Sequence, residues 1–181
     1  MGNKVRRSLD WLYDAGGALG AVFVALICVL MIAQSVLREL GIRTGAVNDI
    51  VSWFCAAAAF CAMAHAFKHG DFVRVTLLLE KVSPKTRRAM ELVSLAIGSV
   101  SCTYLAWSAV KFTYESWEFN DIAQGLLPMP MWIPQLSFAL GSVLLLVAVV
   151  DEFIIVLRGG VPTFVRVVEE RHARGDFSSD V

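Results

Sequence analysis

Four stretches of this chain are almost free of charge. Ala15 to Leu37, Leu92 to Val110 and Met131 to Val150 contain no ionisable acid or base of the Asp, Glu, Lys, Arg or His type. From Ile50 to Phe67 the only such side chain is His65, near the end. Each stretch is about 18–23 residues, enough to cross about 30 Å of hydrocarbon at about 1.5 Å per residue. Open strands would leave backbone N–H and C=O groups unsatisfied in lipid, so the runs predict helices. They are continuous and do not alternate, which excludes a closed barrel. The expected fold is an all-α integral membrane protein, one membrane domain over residues 1–181, with spans at about 15–38, 47–67, 89–111 and 131–157.

The segment between the second and third spans has its own pattern. Asp71 to Val82 reads DFVRVTLLLEKV. Phe72, Val75, Leu79 and Val82 fall on one helical face, Leu78 widens it, and Arg74, Glu80 and Lys81 fall elsewhere. About 12 residues cannot span a bilayer, but they suit a helix lying flat at its surface with the basic side toward headgroups. A membrane-parallel amphipathic helix is therefore expected at about 71–82. The alternation Val73-Arg74-Val75 also fits a short strand, although no partner strand is in sight. Gly70 separates this helix from the second span, and Pro84 stands where the next helix would start.

Composition narrows the class. Of 181 residues, 57% are hydrophobic and 18% charged, against about 45–50% and about 25% in a soluble domain. Four spans leave no room for a soluble domain of ordinary size. A formal net charge of zero argues against a nucleic-acid partner. That zero hides a sorted pattern. Lys4, Arg6 and Arg7 precede the first span. Lys68, Arg74, Lys81, Lys85, Arg87 and Arg88 lie between the second and third, and Arg158, Arg166, Arg171 and Arg174 follow the fourth. The opposite side has only Arg38 and Arg43, with Lys111 at the end of the third span. The positive-inside rule then puts both termini in the cytoplasm. Trp53, Trp107, Trp117 and Trp132 fall near the outer interface and Trp11 near the inner one. The basic start resembles a signal peptide. Asp10 and Asp14 precede the apolar run, however, and the run is longer than the usual about 7–15 residues, so a retained span is expected.

Little chemistry is on offer. Cys28, Cys55, Cys61 and Cys102 all lie within spans and make no Cys-x-x-Cys pair, so they read as small buried residues. His65 and His69 share a helix face, with Asp71 nearby, but no third strong metal ligand lies on the same helix. They read as polar markers of a helix end. Being on one side of one helix, they could not clamp a haem between them. Asp49, Glu91, Asp151 and Glu152 sit at span ends, where solvent contact is cheap. Gln34, Ser35 and Gln135 are deeper and could bond across helices. No phosphate loop, Ser/His/Asp set or nucleotide motif appears. The expectation is a non-enzyme without cofactor or metal. The third loop, from Phe112 to Pro130, carries Glu115, Glu118 and Asp121 and no base. Gly16 and Gly20 form a Gly-x-x-x-Gly pair, and the second span holds Ala56 to Ala59. Such surfaces allow close helix approach, either to a docking partner or within the chain.

The order of these features resembles a known family. Asn48-Asp49 opens the second span, and Ala56 to Phe67 is rich in small residues. His69 to Leu78 reads His-Gly-x-Phe-x-Arg-Val-x-Leu-Leu, followed by Pro84 and the basic Lys85, Arg87 and Arg88. Leu126 to Pro134 reads Leu-Leu-Pro-x-Pro-x-Trp-Ile-Pro, with Gly141 beyond. Over about residues 10–158 the chain resembles the DctQ family, the small membrane subunits of tripartite ATP-independent periplasmic (TRAP) transporters. It departs in having Asn48-Asp49 where an acidic pair is common, and His-Gly-Asp-Phe in place of Gly-His-Ile/Val. The resemblance implies four membrane helices plus a surface helix, in the bacterial inner membrane. It implies a large multi-span partner that moves substrate by an elevator-like, Na⁺-coupled motion. A periplasmic binding protein would deliver organic acids bearing carboxylates. The small subunit would dock through Gly16, Gly20, Ala56 and Ala59 and meet the binding protein through Glu115, Glu118 and Asp121. Three alternatives stay open: the small subunit of a tricarboxylate tripartite transporter, a four-helix membrane enzyme with metal or redox chemistry, and a stand-alone channel or homo-oligomer.

Overall fold

The computed structural model describes residues 3–42, 44–70, 84–160 and 162–167. Four helices account for most of them: α1 (Asn3–Glu39), α2 (Ala46–His69), α3 (Pro84–Glu118) and α4 (Trp132–Leu157). All four are long and apolar enough to cross a membrane. The amphipathic helix expected at 71–82, with Phe72, Arg74, Val75, Leu78, Leu79 and Val82, lies outside the described residues.

Two helices outrun their apolar stretches. α1 begins at Asn3, well before the uncharged run at Ala15, and α3 continues to Glu118. Neither extension contains a proline after the first turn, so nothing stops the helical hydrogen-bond ladder at the membrane edge. At 37 residues, α1 is about 55 Å long, well beyond the hydrocarbon. Glu115 and Glu118 consequently stand on the last turn of α3. They were expected in a loop running from Phe112. Their charges there oppose the helix dipole, so the end of α3 must be held by other means. Asn120 supplies them: it takes a left-handed conformation, φ 50°. The Asp121 N–H then reaches Ser116 O (3.0 Å) and the Asn120 N–H reaches Trp117 O (3.3 Å), a Schellman ending. Gly41 closes α1 with the same pair of bonds, Ile42 N–H to Leu37 O and Gly41 N–H to Arg38 O.

The helices stand in a row. α1 packs on α2, α2 on α4, and α4 on α3. α4 lies at the centre of the packing: Ala139, Gly141, Ser142, Leu145, Ala148, Val149, Glu152 and Val156 are all buried, whereas α2 buries only Ala57, Ala58 and Ala64. The chain does not return to α2 when it makes α3, so the 71–83 connection joins helices that are not neighbours in the row. Beyond α4, a short helical turn at 163–167 folds back under the bundle. Phe164 is buried there among Leu95, Val156 and Phe67, its ring edge-on to Phe67 with centroids 5.9 Å apart.

α1 and α2 form an antiparallel hairpin. Close to the turn, Gln34 Nε2 donates to Asn48 Oδ1 at 3.0 Å. Further along, the Phe23 and Phe54 rings meet at 5.3 Å, Gly16 faces Cys61, and Lys68 pairs with Asp10 at 2.8 Å. From the Phe23–Phe54 pair outward, each step on one helix is matched by about one step on the other.

Candidate functional site

The candidate residues fall into three groups: packing faces, the far loop and a polar end. The glycines belong to the first. A Cβ on Gly16 would lie 2.8 Å from the Cys61 carbonyl oxygen. On Gly20 it would lie 3.0 Å from Ala62 Cβ and 3.1 Å from Ala58 O. This face of α1 is therefore filled by α2, and Gly16 and Gly20 are spent inside the chain rather than offered to a partner. Gly141 does the same between α4 and α2, where a Cβ would overlap the Phe60 carbonyl. Beside it the Phe60 and Phe138 rings meet edge to face at 4.5 Å.

Ala56 and Ala59 have the opposite fate. They are exposed, and with Ser52 and Cys55 they make a strip of small residues at helical spacing on the open side of α2. α1 and α3, at the two edges of the row, present large apolar residues. On α3 these include Val93, Ile97, Val100, Tyr104 and Trp107, spaced 4, 3, 4 and 3 apart on one face. Surfaces of this kind are stable against lipid tails or another membrane protein.

The loop between α3 and α4 is built from backbone pairings. Ala123 N–H donates to Met129 O and Met131 N–H to Asp121 O, each at 2.9 Å, making one isolated antiparallel bridge, Ile122 to Pro130. Asp49, at the start of α2, reaches across and accepts the Leu126 N–H at 3.0 Å. Gly125 lies flush against the Asp49 carboxylate, leaving no room there for a Cβ. Asp49 is thus a loop anchor that its position at a span end did not reveal. Glu118 and Asp121 are exposed, and Glu115 lies 3.5 Å from Lys111. The deep amides divide. Gln34 bonds across to Asn48, whereas the buried Gln135 Oε1 has no protein partner.

The other end of the row carries charge. Besides Asp10–Lys68, the Asp14 Oδ1 lies 3.3 Å from His65 Nδ1. His69 follows one turn later, its ring 4.0 Å from that of His65. Glu152 is buried (4% exposed) and accepts the Thr163 N–H at 2.8 Å. It thereby ties the 163–167 turn to α4. Arg88 on α3 donates to the Val156 carbonyl at 3.4 Å. Between these groups lies a cavity of about 10 Å³ lined by Asp10, Tyr13, Lys68, Asp151, Glu152 and Thr163 among others. The buried Tyr13 hydroxyl has no protein partner, and the space matches about one water. The cysteines are free: Cys28 and Cys55 are exposed, Cys61 and Cys102 half-buried.

Four continuous membrane-capable helices in an open row, with polar groups collected at the ends, define a multi-pass membrane protein. Residues 27–159 match the family model described as the DctQ component of tripartite ATP-independent periplasmic transporters, and the chain belongs to that family. No curated protein matches the chain. The family is one of transporter subunits rather than enzymes. The match runs from the middle of α1 to the end of α4, so it takes in Asp49, Ala56, Ala59, Glu115, Glu118 and Asp121 and leaves out Gly16, Gly20 and Asp14.

Proposed function

We propose that the chain is the accessory membrane subunit of a Na⁺-coupled transporter for organic acids. It sits in the bacterial inner membrane with both termini in the cytoplasm. Its role is to hold the large transport subunit and to help receive the periplasmic binding protein. The observation that carries this reading is the DctQ family match, on a chain whose described residues include no broken membrane helix. All four helices run unbroken, and no charge occupies the uncharged stretches at mid-membrane. Transporters that carry substrate place broken helices and polar groups there. Orientation rests on the Lys and Arg count of the connecting segments.

The large subunit docks on the open side of α2, where Ser52, Cys55, Ala56 and Ala59 let another helix approach closely. The binding protein meets the end of α3, where Glu118 and Asp121 stand exposed beside a loop fixed by Asp49. The connection from α2 to α3, with Lys68, Arg74, Lys81, Lys85, Arg87 and Arg88, sets the depth of the subunit against the inner headgroups. Deletion of the gene tests the reading: substrate uptake is expected to disappear and to return when the chain is supplied from a plasmid. Unchanged uptake in the deletion strain would overturn it.

A further inference from the structure

The α1–α2 hairpin brings together three potential metal ligands that are far apart in sequence. One ligand atom each from Asp14, His65 and His69 lies within 4.8 Å of the others. The second helix alone offers two imidazoles, and the third ligand comes from the partner helix through the hairpin register.

Four features of the cluster distinguish it from a chance gathering of polar side chains. First, the His65 ring has a place made for it. A Cβ on Gly17 would lie 2.7 Å from His65 Cγ, so only a glycine lets the imidazole rest against α1 beside Asp14. Second, His65 Nδ1 is buried and makes no hydrogen bond; it lies 3.3 Å from Asp14 Oδ1 without a bonding alignment. Ligands at about 2.0 Å from a tetrahedral ion are themselves about 3.3 Å apart, which is the spacing of this pair. Third, His69 Nδ1 lies 3.0 Å from the His65 carbonyl oxygen. A carbonyl can only accept, so the proton is on Nδ1 and the Nε2 lone pair is free. Backbone anchoring of this type orients metal-binding histidines. Fourth, the nearby cation is engaged elsewhere: Lys68 Nζ is held by Asp10 at 2.8 Å.

We propose that Asp14, His65 and His69 bind one divalent transition-metal ion of the Zn²⁺ type and so clamp the open end of the α1–α2 hairpin. Two imidazoles and one carboxylate suit such an ion, with water completing the shell, whereas Mg²⁺ and Ca²⁺ prefer all-oxygen sites. Asp14 is exposed and His69 only half-buried, so small side-chain rotations close the remaining gap to ligand distance. The chain between the two helices turns at the opposite end, so a clamp here restrains the ends that the turn does not.

The test is Zn²⁺ titration of the full chain, purified without a histidine tag, followed by calorimetry and by melting temperature. Saturable binding of one Zn²⁺ per chain with a rise in melting temperature is expected, with no response to Mg²⁺. Asp14→Asn and His69→Gln are each expected to weaken binding about tenfold or more. Glu39→Gln removes an exposed carboxylate at the far end of α1 and should leave the affinity within about twofold. Both ligand variants keep side-chain volume, and their melting temperatures without metal report whether they fold. Absence of saturable 1:1 binding by the native chain would overturn the proposal. So would native affinity in His69→Gln, or an equal loss in Glu39→Gln.

Discussion

The two ends of the helix row are held by different means. At the end where α1 begins and α4 finishes, side chains do the joining: Asp10 to Lys68, Glu152 to the Thr163 N–H, Arg88 to the Val156 carbonyl. Schellman bonds close helices at both ends, around Gly41 and Asn120 on the far one and around Gly159 on the polar one, so the backbone tie peculiar to the far end is the short bridge from 121 to 131. There Asp49 and Gln34 add single bonds. A membrane chain can afford long charged side chains only where water or headgroups reach them. The polar end coincides with the basic side of the sequence pattern, so its ties use the same residues that set orientation. The far end has few charges to use, and what it adds to the shared helix endings is the backbone bridge of the α3–α4 loop.

This contrast yields graded expectations. The largest effect belongs to neither end but to the seam between them. Gly141→Leu must push against the Phe60 backbone, and a cost of about 3 kcal/mol or more is expected, read as loss of folded protein in a detergent melt. Next comes the polar end. Glu152→Ala leaves the buried Thr163 N–H without its carboxylate and removes the tie on Phe164. A loss of about 2 kcal/mol is expected, together with faster proteolysis after residue 160. At the far end, Asp49→Ala frees an exposed Leu126 N–H, which water can satisfy. Its cost should stay below about 1 kcal/mol, with faster amide exchange confined to the 121–131 loop. If Asp49→Ala proved as costly as Glu152→Ala, the distinction between the ends would fail. Smallest is Asp10→Asn, where a half-exposed pair is lost: about 0.5 kcal/mol, shrinking with added salt.

The same contrast explains what was legible in the sequence. Uninterrupted apolar runs identify the four membrane helices because nothing else satisfies backbone groups in lipid. Helix ends were harder to read. The starting point at Asn3 and the end at Glu118 follow from the absence of breakers, not from hydropathy, and the expected spans stopped at the change in polarity. Facing residues were harder still. A helix that is apolar all round gives no stripe to mark its buried side, so Gly16 and Ala56 looked alike although one is enclosed and the other open. Counting outward from Gly41–Gly45 misses the register of the α1–α2 hairpin, because it sets Asp14 about two helical turns from His65. Asp49 and Leu126 had no signal either, because a loop joins them to distant parts of the chain.

The proposed role makes this chain one part of a larger membrane machine. Its most direct test is purification of the chain from native membranes in mild detergent, followed by measurement of the mass and composition of the complex. A defined complex with one long multi-span membrane protein is predicted, and Ala56→Trp combined with Ala59→Trp should release that partner while leaving the melting temperature of the chain itself unchanged. Recovery of the chain alone, or only as a self-associated oligomer, would contradict that role.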